Sequence, residues 1–257
     1  MARIRQAISF WCFDRKDLSF AQLCADAKRI GYEGLEMVPE DHWQVAKHFG
    51  MPLITITGHQ SIATGLNRTE HHPRIELEMK ANIDKAAANS IPTLICFSGN
   101  RAGMPDAEGL RNTVAGLKRV AGYAEQHNVT LALELLNSRA DHADYMADRT
   151  AWGVEVVKQV GSLRVKLLYD IYHMQIMEGD IIRTLTDNIE SIGHIHTAGV
   201  PGRHEIDHTQ ELNYPAIMQA IAATTYFGFV GQEFIPAGPP IPALETAFRL
   251  CAGGPAH

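Results

Sequence analysis

SFWCFDRKD, residues 9–17, closes the first apolar run of the chain, IRQAISFW (4–11), and contains no glycine. An open, doubly wound α/β sheet would normally place a glycine-rich phosphate turn at this junction. Its absence favours a closed arrangement for the alternation that follows. Strand-like runs recur as EGLEMV (33–38), PLITITG (52–58), PTLICFS (92–98), VTLALEL (129–135), RVKLLYD (164–170), SIGHIHT (191–197) and FVGQEF (229–234). Amphipathic stretches separate them, among them 18–31, 72–90 and 107–128; in the last, Leu110, Val114, Leu117, Val120 and Ala121 recur at helical spacing. The strand runs are apolar on both faces, as parallel strands covered by helices are. Eight strand–helix units without a Pro/Ser-rich linker or a compositional break predict an α/β fold, a single (β/α)8 TIM barrel, with 1–257 as one domain.

Composition narrows the function classes. Hydrophobic residues make up 46% of the chain, enough for a sizeable core. The net charge of −6 lacks the basic excess of a nucleic-acid surface. Cys12, Cys24, Cys96 and Cys251 are scattered with no CxxC pair, which suits a reducing compartment. Cys12 and Cys96 fall in apolar strand-like runs and read as small hydrophobes. The start MARIRQAISFWCF does not resemble a secretory signal, and no run approaches the ~18 apolar residues of a membrane helix. A cytoplasmic globular protein is expected, with no nucleic-acid or membrane partner.

In a (β/α)8 barrel, chemistry sits where the strands end, at the C-terminal mouth. LALELLN carries Glu134, RVKLLYD ends at Asp170, GHIHTAG carries His194 and His196, and VGQEF carries Glu233. Each lies about one βα unit from the next. Taken singly, such an acid is commonly a helix cap or a salt-bridge partner, and a strand histidine is commonly a satisfied core residue. Four at one rim are harder to explain that way, because buried carboxylates without a cation are costly. Three carboxylates and an imidazole suit a divalent metal ion, Mn²⁺ or Mg²⁺ first, with Co²⁺ and Zn²⁺ also compatible. Glu36 and His59 end the second and third strand runs, as substrate contacts or as rim hydrogen-bonding groups. Trp11 and Phe13 read as rim packing, Asn137 and Ser138 as caps, and His71–His72 in RTEHHPR as solvated.

The stretches YDIYHMQIMEGD (169–180), GHIHTAGVPGRHE (193–205), ELNYP (211–215) and GFVGQEFIP (228–236) resemble the hydroxypyruvate isomerase family. GHQSIATGLNR (58–68) and LICFSGN (94–100) are consistent with it. That family belongs to the xylose-isomerase-like barrel superfamily, with the ketose 3-epimerases and the endonuclease IV type of nuclease. The resemblance implies that Glu134 and Glu233 are an acid/base pair and metal ligands, that Asp170 and His196 complete the metal site, and that His173 and Arg203 contact substrate. Some hydroxypyruvate isomerases have glutamine where His196 stands; histidine there is closer to the metal-using epimerases. DHTQELNY replaces the Pro-Gly-x-Gly turn of many relatives.

The implied chemistry is metal-assisted proton transfer through an ene-diolate, as in conversion of hydroxypyruvate to tartronate semialdehyde. A ketose 3-epimerase or a 2-oxo-tetronate isomerase is the alternative. A metal nuclease is more distant: CFSGN at the fourth strand end offers no histidine ligand, and Asp207–His208 are adjacent. A non-catalytic sugar-binding barrel would need no paired glutamates. The expected partner is a small hydroxy-keto acid or ketose, and relatives are often dimers or tetramers.

Overall fold

The computed structural model describes residues 3–253, so residues 1–2 and 254–257 of the expected domain lie outside the described residues. The strands are β1 (Arg5–Ser9), β2 (Gly34–Glu36), β3 (Leu53–Thr57), β4 (Thr93–Cys96), β5 (Thr130–Leu135), β6 (Val165–Asp170), β7 (Ile192–Thr197) and β8 (Phe229–Gln232). They hydrogen-bond in chain order as a closed barrel. Registers that matter below are Ser9 with Glu36, Ala7 with Gly231, and His196 with Gly231.

Helices return the chain between strands: α1 (Phe20–Ile30), α2 (Trp43–His48), α3 (His72–Ala88), α4 (Asp106–His127), α5 (Thr150–Val160), α6 (Ile171–Met177), α7 (Ile181–Asp187), α8 (Tyr214–Ala222) and α9 (Pro240–Leu250). Local sequence sets their ends. Ser19 accepts the Gln22 N–H to open α1, and Gly31, at φ 115°, closes it in the left-handed conformation that glycine adopts without strain. Asp170 opens α6 by accepting the His173 N–H, so the last residue of β6 is also a helix cap.

All eight strand expectations are met, each strand being shorter than the apolar run that announced it. The first run stops at Ser9 because Phe10–Cys12 turn into a 3-10 helix, which places Cys12 outside the sheet. His72 departs from its solvated reading. It is buried at the start of α3, its Nε2 lies 2.9 Å from the Leu66 carbonyl, and it packs where a Cβ on Gly116 of α4 would stand. Polar neighbours in the sequence concealed an inward-facing position on the helix.

Two compact halves can be distinguished. One is built from the chain up to Ile54, Asp180–Glu190 and the chain from Ile195 onward; the other is Thr55–Gly179 with Ser191–His194. The dividing lines fall inside β3 and β7. Among the described residues, no helix is long and apolar enough to cross a membrane.

Candidate active site

In the first half, the polar groups gather on Glu233, the residue after β8. Its Oε1 accepts from Ser9 Oγ at 3.1 Å and from the Trp11 indole N–H at 3.0 Å. Its Oε2 accepts from Arg203 Nη2 at 2.6 Å and lies 3.2 Å from His196 Nδ1. Burial acts to raise the carboxyl's pKa, but His196, Arg203 and the Trp11 hydrogen bond outweigh it and hold the group well below the usual carboxylate range. The Arg203 guanidinium also stacks 5.3 Å above the Trp11 ring. Arg203, expected as a substrate contact, is therefore in contact with a glutamate of the protein itself. His196, on β7, has its Nε2 3.0 Å from Glu36 Oε2, and both side chains are wholly buried. Glu36 thus makes a buried hydrogen bond within the protein.

In the second half, Glu134 on β5 is buried, and its carbonyl accepts from the Tyr145 hydroxyl at 3.0 Å. That hydroxyl accepts in turn from the Ser98 N–H at 3.0 Å, which ties the end of β5 to the segment after β4. Asp170 Oδ1 accepts the His173 N–H at 3.2 Å, and its Oδ2 lies 3.6 Å from His173 Nε2. The His173 tautomer follows from its neighbours. Asn137 Oδ1 accepts from the Ala140 and Asp141 N–H groups, so its amide nitrogen is the atom facing His173 Nδ1 at 2.7 Å and Asp141 Oδ2 at 2.6 Å. Nδ1 accepts, and the ring proton sits on Nε2 towards Asp170. His59 is committed to the backbone: Nε2 accepts the Phe97 N–H at 3.0 Å and Nδ1 faces the Gln60 carbonyl at 3.2 Å. Burial lowers its pKa, so the ring is neutral at pH 7.

Glu134, Asp170, His196 and Glu233 each offer one ligand atom, and these atoms all lie within 4.8 Å of one another. All four residues are buried. Three carboxylates confined this closely repel one another, so the donor set fits a divalent cation with a preference for oxygen ligands. Glu36, His194 and His196 form a second such grouping.

Four contributors escape a reading of the sequence: Ser9, Trp11, Asn137 and Tyr145. Ser9 had a usable signal, since it ends β1 as Glu36 ends β2. Trp11 reads as an apolar ring although its N–H is the part that meets Glu233. Asn137 accepts two N–H groups of the turn at Ala140 and Asp141 and caps no helix, since α5 opens only at Thr150, and its amide also faces His173. Tyr145 acts from a loop that no periodicity describes.

The family described as xylose isomerase-like TIM barrel matches residues 24–251. A 2-oxo-tetronate isomerase of Cupriavidus necator is 40% identical over 116 residues, 45% of this chain and 44% of that protein. The hydroxypyruvate isomerase of Escherichia coli is 32% identical over 142 residues, 55% of this chain and 54% of that protein. The chain thus spans about half the length of the curated relatives it matches. Among solved structures, an AP endonuclease, family 2, from Brucella melitensis aligns with a TM-score of 0.79 at 23% identity, over 95% of this chain and 97% of that one, a likeness of fold alone.

Proposed function

Because the chain belongs to the xylose isomerase-like TIM barrel family, we propose that it is a metal-using isomerase of a small hydroxy-keto acid or keto-sugar, hydroxypyruvate isomerase-like, working as one barrel domain. The observation that carries this reading is the convergence of Glu134, Asp170, His196 and Glu233. These four would hold a divalent cation, Mn²⁺ or Mg²⁺. When bound, such an ion supplies Lewis-acid polarisation of a substrate carbonyl, which acidifies the hydrogen on the adjacent carbon.

The chain's own residues do the rest. Glu134 takes the proton from the hydroxyl-bearing carbon, leaving an ene-diolate, and returns it to the former carbonyl carbon. The hydroxyl proton passes to the former carbonyl oxygen, so substrate and product are isomers and no oxidant is needed. Glu233 is a weaker base, because its donors stabilise the charged form; it holds and screens. His173, with its proton on Nε2, orients Asp170 and faces substrate oxygens.

The 40% identity to a 2-oxo-tetronate isomerase supports a four-carbon acid as a second substrate candidate. The test is a panel of hydroxypyruvate, 2-oxo-tetronate and ketoses in D₂O with Mn²⁺ or Mg²⁺, followed by NMR. Deuterium entering next to the carbonyl together with isomer formation is the expected result. No exchange with any of the acids would reject the acid-isomerase reading, and C3 inversion of a ketose alone would turn it into an epimerase.

A further inference from the structure

Gly231 sits in β8 beside His196 of β7 and Ala7 of β1. A Cβ there would lie 2.3 Å from Glu36 Oε1, 2.9 Å from Glu36 Cδ and 2.9 Å from His196 Cδ2. These contacts are closer than real side chains tolerate. The volume that any other residue would fill is occupied by a carboxylate from β2 and an imidazole from β7. A glycine inside a strand weakens it, so its presence here has a packing reason. Both side chains are buried completely, and they meet at 3.0 Å between Glu36 Oε2 and His196 Nε2. The other ring nitrogen, Nδ1, faces Glu233 Oε2 at 3.2 Å.

We propose that Glu36 is a positioning residue, seated in the space left by Gly231, that accepts the His196 Nε2 proton and so presents Nδ1 as the imidazole donor of the four-residue metal site. The inference rests on the metal reading above and extends it to residues outside the ligand set. An imidazole has two equivalent-looking nitrogens, and an unrestrained ring could turn either towards the ion. A carboxylate behind the ring selects the tautomer, fixes its orientation and makes the donor nitrogen more basic. Placing that carboxylate in the barrel interior requires room, and β8 supplies it by omitting a side chain. The same geometry accounts for the closeness of Glu36 and His196 in the second grouping without a second ion.

The test uses the full chain stripped of metal with a chelator. Mn²⁺ binding is titrated by electron paramagnetic resonance for wild type, Glu36→Gln, Glu36→Ala, Gly231→Ala and the double variant Gly231→Ala/Glu36→Ala. Circular dichroism and melting of the metal-free proteins report folding. Glu36→Ala and Gly231→Ala should each weaken Mn²⁺ binding ~10- to 100-fold, the size expected for loss of an outer partner. Glu36→Gln should lose less, because its amide oxygen can accept the same N–H. The double variant should bind close to Glu36→Ala alone, since the tighter of the two clashes, with Glu36, is gone and only the 2.9 Å contact with His196 Cδ2 remains. Nitrogen-15 histidine spectra of the Mg²⁺-loaded wild type should place the His196 proton on Nε2, with both tautomers present in Glu36→Ala. Should Glu36→Ala fail to fold, Glu36→Gln and Gly231→Ala carry the comparison.

A proton on Nδ1 in the Mg²⁺-loaded wild type, or Mn²⁺ affinity in Glu36→Ala and Gly231→Ala within twofold of wild type, would overturn the inference and leave the metal site standing. Two ions per chain with one lost in Glu36→Ala would make Glu36 a ligand and overturn it as well. A wild type that binds no Mn²⁺ would overturn the metal reading itself, and this inference with it.

Discussion

Glu233 is surrounded by Ser9, Trp11, Arg203 and His196, which fix both of its oxygens and hold it ionised. A carboxylate stabilised this strongly surrenders basicity for position. On that ground Glu134→Gln is expected to lower kcat by at least ~10² and to abolish deuterium wash-in at the α-carbon. Glu233→Gln should also lower kcat but keep measurable wash-in. Loss of exchange from one sugar epimer in each variant would instead indicate two bases on opposite faces. Arg203 offers a second discrimination. Its ion pair with Glu233 predicts that Arg203→Lys lowers kcat about tenfold or more for acid and uncharged substrates alike, as an ammonium cannot reproduce the planar fork. A rise in KM confined to acids would show that Arg203 also clamps the substrate carboxylate. Glu134, Asp170, His196 and Glu233 were legible because each is a polar residue closing an otherwise apolar run. Of the groups around Glu233, the Trp11 indole was not, because a hydrogen bond from an indole N–H leaves no pattern in hydropathy.

The loop between β5 and α5 folds back as a brace for the strand that carries Glu134. The Tyr145 hydroxyl bridges the Ser98 N–H and the Glu134 carbonyl, while Ser98 Oγ accepts the Ala147 N–H. Tyr145→Phe leaves a buried N–H without its acceptor, a loss of about 1–3 kcal/mol measurable by denaturant unfolding. Because the brace acts on the backbone of Glu134, kcat should fall with KM little changed. Unchanged stability would mean that the bridging role is absent. A brace of the same kind follows β7, where the Tyr214 hydroxyl accepts from the Ala198 N–H and donates to the Ala198 carbonyl. Strands were readable as short runs apolar on both faces and helices from an apolar period of about 3.6, so the eight strands and α1, α3 and α4 appear close to their expected places. The braces were not readable, because a tyrosine eleven residues beyond Glu134 returns to it only through the loop's own turns.

For the molecule as a whole, a cation held by three carboxylates and one imidazole would couple folding to metal concentration. Mn²⁺ at one hundred times its dissociation constant should stabilise the native state by about 2.7 kcal/mol, seen as a rise in melting temperature that chelator reverses. Asp170→Ala should melt at the same temperature with and without the ion. A wild type indifferent to Mn²⁺ and Mg²⁺ would remove the site. The closed barrel itself was deducible from number and order, eight apolar runs alternating with amphipathic ones and no glycine-rich turn in SFWCFDRKD. Closure also explains why residues from distant parts of the sequence share one rim, a proximity that separations along the chain cannot express.

Trp11 donates its indole N–H to Glu233 and is 44% exposed, whereas Trp43 and Trp152, the other two tryptophans, donate to the carbonyls of Val38 and Asp106. The protein therefore carries an optical reporter attached to one of its candidate ligands. Binding of paramagnetic Mn²⁺ should quench part of the intrinsic emission, and that part should vanish in Trp11→Phe while the light from the other two indoles remains. Occupancy of the site could then be followed in real time without a label, a substrate or a coupled assay.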